Sequence, residues 1–272
     1  MATVQVSTLA EFITAIATSG DTVVCPEDAI WDANDTYPDG YQSDIVWNAS
    51  VIGNGTTIKN LRFYGFIRAN SEYIRPYIDG LRIIDLIGSS ASSINSGDPG
   101  LFEGNFHFTN TTISAVLNAV YKRLVRWFSW SSDYLASRCS FNIDASGNFD
   151  TFGMGKVQYS RIELHLPNSV WYPYYANFDK CYESEIIIYA PNAGGLHSLQ
   201  FVGCVIHGEM PNTTETATSG SWDGDMTVYS TDAMPNFVPR DSAHFVGVTD
   251  AQLRDPSYLR GIGFPIAIEV SS

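Results

Sequence analysis

Three residues in the middle of the chain have the types needed to cleave a polysaccharide by elimination. Arg161 could act as the base that removes a sugar proton, and Asp144 and Asp179 could supply the oxygen ligands that Ca²⁺ prefers. Aspartate is also common in turns, because its carboxylate takes the place of a backbone hydrogen-bond acceptor. We therefore expect turns at the aspartates, with no catalytic residue, metal or cofactor, and keep a Ca²⁺-dependent lyase as the alternative.

Other catalytic motifs are missing from the sequence. Hydrolysis of a glycosidic bond requires two carboxyl groups at a defined separation, and no spacing here singles out such a pair. The four cysteines show no C-x-x-C spacing, and neither a G-x-S-x-G elbow nor a Walker loop is found. We expect the cysteines to be buried free thiols, which pack as small apolar side chains.

Two aromatic segments offer a different kind of site, one that binds rather than cleaves. The segment "VWYPYYANF" contains Pro173, which does not fit a central strand and predicts a projecting loop, and "RWFSW" is the second segment. Exposed Trp and Tyr side chains stack on sugar rings or anchor a protein partner. Alternatively, each segment folds back and buries its rings. The candidate contact residues are Trp171, Tyr172, Tyr174, Tyr175, Trp127 and Trp130.

The charge balance limits the partners. The chain has 272 residues and a net charge of −14, whereas binding to nucleic acid requires clustered Lys and Arg side chains. No apolar run is as long as a membrane span, and the N-terminus lacks the charged and apolar regions of a secretory signal. We therefore expect no nucleic acid partner, no membrane-spanning segment and synthesis without a signal peptide.

A short motif, a small or polar residue followed by apolar-x-apolar, recurs along the chain. Its first apolar positions are 61, 81, 106, 141, 162, 186 and 205, so the steps are 20, 25, 35, 21, 24 and 19 residues. Apolar alternation predicts strands with one buried face, and regular steps of this size predict a β-solenoid, with a β-sandwich as the alternative. The residues predicted to point inward are Leu61, Phe63, Leu81, Ile83, Phe106, Phe108, Phe141, Ile143, Ile162, Leu164, Ile186, Ile188 and Val205.

The step of 35 residues is longer than the others. Val116, Val120, Leu124 and Trp127 have the spacing of a helical stripe, whereas a repeat beginning at Leu124 would divide the step into 18 and 17 residues. We favour the extra repeat.

An amphipathic helix is predicted close to the N-terminus. Thr8 and Glu11 have the spacing of a capping box, and the apolar residues from Leu9 to Ile16 form one stripe. Such a helix needs an apolar surface to cover, and an uncovered end of a strand stack is one. We assign residues 1–20 to an N-terminal capping helix, 21–208 to the repeats and 209–272 to a C-terminal extension.

The C-terminal extension carries its own helix and strand signals. Thr249 and Gln252 repeat the capping-box spacing, and Pro256 keeps any helix short. Apolar residues then suggest a contact that docks the chain to a copy of itself or to another protein. The alternative is a cap on the same chain. The candidate assembly residues are Leu253, Tyr258, Leu259, Ile266 and Ile268.

Residues 4–64 resemble the entry coils of right-handed parallel β-helix proteins of the pectate-lyase-like class. The resemblance rests on "GDTVVCPEDAIWDAND" leading to "NGTTIKNLRF", and the repeats extend it to about residue 208. It implies an all-β fold: a right-handed parallel β-helix with a short N-terminal capping helix and a small C-terminal extension.

The tail "VTDAQLRDPSYLRGIGFPI" looks like a segment found at the ends of solenoid-like surface and bacteriophage proteins. This resemblance implies a non-enzymatic structural or appendage protein of a bacteriophage virion, of tail or fibre type, made in the host cytoplasm. Its partners would be other virion proteins or copies of itself, with a trimer favoured, and host surface polysaccharide. The alternative is a polysaccharide lyase or glycoside hydrolase of the β-helix class.

Overall fold

Parallel strand pairing dominates the computed structural model. The structure describes residues 2–71, 73–89, 100–118, 121, 123–126, 135–147, 156–169, 180–196, 200–216, 226–239 and 242–264. Within these ranges every pairing between strands is parallel. The all-β, parallel architecture is therefore confirmed, and the antiparallel pairing of a β-sandwich is not found in the described part of the chain.

The described strands form four sheets. The first contains β1 (Thr3–Gln5), β2 (Thr22–Val24), β5 (Ser50–Ile52), β9 (Tyr77–Asp79), β12 (His107–Thr109), β15 (Leu135–Ser137), β17 (Lys156–Gln158), β19 (Lys180–Tyr182) and β22 (Gln200–Val202), paired in that order. The second contains β3 (Ile30–Asp32), β6 (Thr57–Lys59), β10 (Arg82–Ser89), β13 (Thr112–Leu117), β16 (Ser140–Ala145), β18 (Arg161–His165), β20 (Glu185–Tyr189), β23 (Val205–Glu209), β25 (Thr227–Ser230) and β26 (Phe245–Val248), with β7 (Arg62–Tyr64) beside β10. The third contains β4 (Ile45–Val46), β8 (Ile67–Arg68), β11 (Gly100–Glu103) and β14 (Arg123–Arg126), and the fourth contains β21 (Gly195–Leu196) and β24 (Glu215–Thr216).

Buried apolar side chains form a ladder across the second sheet. The residues that lie opposite one another in successive strands are Ile58, Ile83, Ile113, Phe141, Ile162, Ile186 and Ile206. The steps between them are 25, 30, 28, 21, 24 and 20 residues. All seven are at most 2 % exposed and belong to the main core. The apolar alternation predicted from the sequence therefore marks strands with one buried face.

The register corrects the prediction for the long step. Phe108 lies in β12 of the first sheet, whereas Phe141 lies in β16 of the second, so the apparent step of 35 residues joined two different sheets. The missing member of the ladder is Ile113. The extra repeat expected at Leu124 was wrong, because β14 pairs with β11 in the third sheet. The helical stripe was also wrong, since β13 is a strand.

The predicted inward residues are all buried, with one error in direction. Val205 is fully buried, but it packs on the other face of the second sheet, in a separate apolar cluster. Its partner in that cluster, Val228, lies opposite it in β25. The sequence motif placed Val205 one residue out of phase, because Ile206 is the residue that continues the ladder from Ile186.

The N-terminal helix α1 (Leu9–Ile16) buries the predicted stripe of Leu9, Phe12, Ile13 and Ile16. The Thr8 hydroxyl accepts a hydrogen bond from the Glu11 amide at 3.2 Å, as predicted. The Glu11 carboxylate instead accepts from the Ser7 amide at 2.7 Å, one residue before the expected partner. The helix lies on the first strands, because the Ile16 carbonyl accepts hydrogen bonds from the amides of residues 48 and 49. A short helix α2 (Ala33–Thr36) follows β3.

Two short helices, α3 (Asp250–Leu253) and α4 (Pro256–Gly261), cover the end of the second sheet. Thr249 and Gln252 form the predicted capping box. Leu253, Leu259 and Phe264 pack against strands β23, β25 and β26. We call this group the C-terminal cluster, and its buried members are Val205, Val228, Val248, Leu253, Leu259 and Phe264.

The turns from the first to the second sheet hold a residue in the left-handed region. The φ angle lies between 39° and 67° at Gly80, Asn110, Arg138, Tyr159, Glu183 and Gly203. A small polar residue follows in several of these turns. The Ser184 hydroxyl donates to the Tyr182 carbonyl at 2.6 Å and accepts from the Ser160 amide at 3.2 Å. These bonds fix the starts of β18 and β20, where the outward Arg161 and Glu185 stand.

Candidate functional site

Polar side chains gather on the outer face of the second sheet, over strands β16 to β23. In β18 the side chains alternate, so that Ile162 and Leu164 are buried in the core while Arg161, Glu163 and His165 face outward. Glu185 and His207 lie on the next two strands, and Asp144 on the preceding one. We call these residues the charged network: Asp144, Arg161, Glu163, His165, Glu185 and His207.

Glu185 is the buried centre of this network. Its side chain is only 3 % exposed, and its two oxygens have different partners. Oε2 accepts from Nε of Arg161 at 3.2 Å, and Oε1 bonds Nε2 of His207 at 2.9 Å. A carboxylate only accepts, so His207 donates through Nε2. Burial of a carboxylate is tolerated when such charged and hydrogen-bonded partners offset its desolvation.

Arg161 joins two carboxylates rather than presenting a free guanidinium. Its Nη2 lies 2.8 Å from Oε2 of Glu163, in addition to the bond from Nε to Glu185. Both groups hold the guanidinium against the sheet. The residue that the sequence suggested as the base of a lyase is therefore an ion-pair partner in this structure, and its geometry favours keeping its protons.

His165 is held in a fixed orientation at the open side of the network. Its Nε2 bonds Oε1 of Glu163 at 3.0 Å, and its Nδ1 lies 4.0 Å from Oδ1 of Asp144. The imidazole stacks on the ring of Tyr189, with centroids 4.6 Å apart and an interplanar angle of 18°. Asp144 is the most open member, with 57 % of its side chain exposed.

A groove of about 390 Å³ lies beside His165 and Asp144. It crosses the carboxyl ends of β10, β13, β16 and β18. Apolar side chains, among them Ile87, Val116 and Pro167, form most of its surface, and Asp144 and His165 form one wall. A concave, mostly apolar surface with a few fixed polar groups is the usual character of a ligand site.

The groove follows one line of outward side chains. Successive strands place Ile87, Val116, Asp144, His165, Tyr189 and Glu209 opposite one another. We call this line the outer row. Neighbouring strands are about 4.8 Å apart, so the row presents a side chain at regular intervals along the direction in which the strands stack.

The cysteines are not part of this surface. All four are buried and free of disulfides, as expected from the sequence. Burial raises the pKa of the Cys25 thiol to about 12, and burial is also the main cause that raises the pKa of Cys139 to about 12. A thiol with so high a pKa carries almost no thiolate at neutral pH and is a poor nucleophile.

Two of the residues proposed for a lyase come together here. Asp144 and Arg161 stand on adjacent strands of the same outer face, joined through Glu163 and His165. Asp179 lies outside the described residues, as do the aromatic and C-terminal candidates Trp127, Trp130, Trp171, Tyr172, Tyr174, Tyr175, Ile266 and Ile268.

The remaining assembly candidates lie in or beside the C-terminal cluster. Leu253 and Leu259 are each 2 % exposed and pack against their own chain, and Tyr258 is half-buried beside them. This burial favours the alternative in which the segment caps the chain. The docking role stays a prediction.

The sequence analysis missed most of the charged network. The alternation Arg161-x-Glu163-x-His165 was available as a signal, because polar residues between inward apolar ones must face outward. Glu185 and His207 gave no such signal. They stand beside apolar runs, and only the strand register brings them to Arg161.

Neither a metal nor a membrane site emerges from the described ranges. No three His, Cys, Asp or Glu side chains there group so as to hold a metal ion. Among the helices just given, none has the length and apolarity to cross a membrane. No family model, curated protein or solved structure matches this chain, so its function is argued from its own geometry.

Proposed function

We propose that this chain is a right-handed parallel β-helix that serves as a non-enzymatic structural or appendage protein of a bacteriophage particle. The observation that carries the proposal is the ladder of the second sheet, in which each strand pairs in parallel with the strand about one repeat later in the chain. A chain that returns to the same sheet at each repeat builds length along one axis, which suits a spacer.

A second ladder supports the β-helix. In the first sheet Val23, Val51, Ile78 and Phe108 lie opposite one another, and each is fully buried. Between the sheets, the rings of Phe102, Phe106, Phe108 and Phe141 contact one another with centroids 5.4 to 6.2 Å apart. Close packing of this kind makes an interior that resists bending.

The virion assignment rests on the tail segment that resembles bacteriophage proteins. That segment contains α3 and α4, whose apolar side chains cover the end of the second sheet. We propose that it caps its own chain first. Assembly with other virion proteins, or with two copies of the chain as a trimer, would then use surfaces outside the C-terminal cluster. Host surface polysaccharide is the proposed external contact.

Purified particles test this proposal. Particles of the phage that encodes the chain would be separated on a density gradient and analysed by mass spectrometry, with an abundant host cytoplasmic protein as the marker of contamination. We expect the chain to follow the capsid protein through the gradient. A chain that follows the host protein instead would contradict a structural role.

A second candidate function is a polysaccharide lyase or glycoside hydrolase. It is favoured by one observation: Asp144 and Arg161 share the outer face beside the groove. Incubation with a panel of acidic and neutral glycans, read by unsaturated-uronate absorbance and by reducing ends, would test it. We expect no turnover. Turnover that disappears in Asp144→Asn would establish the enzyme.

A further inference from the structure

We propose that the groove binds an extended, uncharged oligosaccharide laid along the outer row. This deepens the proposed role in a particle, on which it rests, by naming the class of ligand and the side chains that receive it. The ligand would contact Ile87 and Val116 with its apolar ring faces and Asp144 with its hydroxyl groups.

The shape of the groove favours a chain of small rings. Its volume of about 390 Å³ lies in the range of small-molecule sites and is too small for a protein helix or domain. The outer row repeats at the strand spacing of about 4.8 Å, which is close to the length of one hexose in an extended chain. Successive sugar rings can therefore meet successive strands in the same way.

The surface of the groove matches the two faces of a sugar. Val116 stands at its centre with 48 % of its surface exposed, and Ile87 and Pro167 extend the apolar area on either side. Burial of the C–H face of a sugar against these side chains removes apolar surface from water. Ser89, Asn118 and Ser146 add hydroxyl and amide groups at the margin.

The carboxylate of Asp144 supplies direction. It projects into the groove with 57 % of its side chain exposed, and the His165 ring beside it is fixed by Glu163 and Tyr189. A carboxylate accepts hydrogen bonds from two neighbouring hydroxyls, and such charge-assisted bonds are stronger than neutral ones. Sugar hydroxyls are the donors that this arrangement fits.

The charge of the network disfavours an acidic glycan. Three carboxylates, Asp144, Glu163 and Glu185, surround the single guanidinium of Arg161, and the chain as a whole carries −14. A uronate or sulfate placed in the groove would lie beside Asp144 with Arg161 already paired. Like charges at this distance repel, so an acidic ligand loses affinity.

A binding measurement on defined oligosaccharides tests the proposal. Wild type would be titrated with uncharged gluco-, manno- and galacto-oligosaccharides, with oligogalacturonate as the acidic probe and chitosan oligomers as the basic probe. Each titration would be repeated at about 0.01 M and about 1 M salt, where the screening length is about 30 Å and about 3 Å. We expect at least one uncharged oligosaccharide to bind equally well at both salt concentrations.

Two matched variants locate the site. Val116→Glu places a charge on the apolar floor, whereas Ile52→Glu places the same charge at an exposed isoleucine on the first sheet. We expect Val116→Glu to abolish binding and Ile52→Glu to retain it, with unchanged melting temperatures in both. Asp144→Asn should weaken binding about tenfold, as loss of a charge-assisted hydrogen bond does.

Several results would overturn the proposal. They are binding of oligogalacturonate, binding of chitosan oligomers only at low salt, equal effects of the two glutamate variants, and no binding to any probe. None of these results bears on the presence of the chain in purified particles, so the role in the particle and the ligand of the groove fail separately.

Discussion

The outer face of the second sheet differs between its middle and its C-terminal end. In the middle, β18 turns Arg161, Glu163 and His165 outward. At the end, the outward positions hold Val205 and Val228, which α3 and α4 cover. The two regions share one sheet and one parallel pairing, so the outward residues alone report what lies over the strands.

The change occurs within two strands. Ile187 faces outward in β20 but is only 2 % exposed, and its neighbour Glu185 is buried and carries two partners. Burial of an apolar side chain contributes about 1.5–3 kcal/mol, so the valines and leucines of the C-terminal cluster stabilise that end. In the middle the network of ion pairs satisfies the polar groups without a cover of helices.

The largest expected effect comes from placing a charge in the covered region. Val228→Glu buries a carboxylate among Val205, Val248 and Leu253, with no cation in the cluster to pair with it. We expect a loss of about 4 kcal/mol or more in the free energy of unfolding, measured by urea titration. The matched change Val116→Glu in the open region should cost far less. Equal losses would show that the two regions do not differ in cover.

Truncation in the helices that cover the sheet comes next. Leu253→Ala removes buried methyl groups and leaves a cavity, so we expect a loss of about 3 kcal/mol in the free energy of unfolding. Tyr258→Ala, at a half-buried neighbour, should lose less. If Leu253→Ala left the melt unchanged but dispersed an oligomer, the residue would belong to an assembly contact after all.

The buried carboxylate of the network should show a smaller effect. Glu185→Gln keeps the shape of the side chain but removes the charge that Arg161 and His207 share. We expect a loss of about 2 kcal/mol in the free energy of unfolding, since hydrogen bonds to a charged group are worth about 1.5–3 kcal/mol. The exposed Glu209→Gln in the next strand is the control. A loss in the control as large as in Glu185→Gln would mean that burial does not distinguish the two glutamates.

The smallest effect concerns the N-terminal helix and its dependence on pH. The Ser7 amide, followed by the Ser7 hydroxyl, lowers the pKa of the Glu11 carboxyl in the folded chain. A depressed pKa stabilises the fold above the unfolded value of about 4.3, and this contribution disappears as the pH falls through the lower folded value.

Comparing wild type with Glu11→Gln by urea titration at several pH values tests this. Wild type should be the more stable at neutral pH, and the two should converge in acid. Ser7→Ala keeps the amide donor and should retain most of the difference. A difference between wild type and Glu11→Gln that persists unchanged into acid would contradict the role assigned to the carboxylate.

Local signals were sufficient to predict much of the fold. The stripe of α1 and the capping box at Thr249 depend only on neighbouring residues, and both were correctly placed. The alternation in β16 and β18 likewise marks strands whose inward side chains are buried. The parallel pairing followed from the repetition of such strands.

Registers between distant strands could not be deduced from the motif alone. Phe108 and Phe141 carry the same apolar-x-apolar pattern, yet they belong to different sheets, because the pattern says nothing about which sheet a strand joins. Val205 illustrates the same limit, since an apolar residue at an outward position looks inward when helices cover it. The site depends on register above all, and Glu185 and His207 were missed for that reason.

The most direct test of the account is an image of the native assembly. Electron microscopy of purified particles, with an antibody against this chain, would show whether a rod-shaped appendage carries the label. The account predicts label at a fixed position on every intact particle, on a feature whose width fits one β-helix or three side by side. Particles that bear no label, while the free protein in the same preparation does, would contradict it.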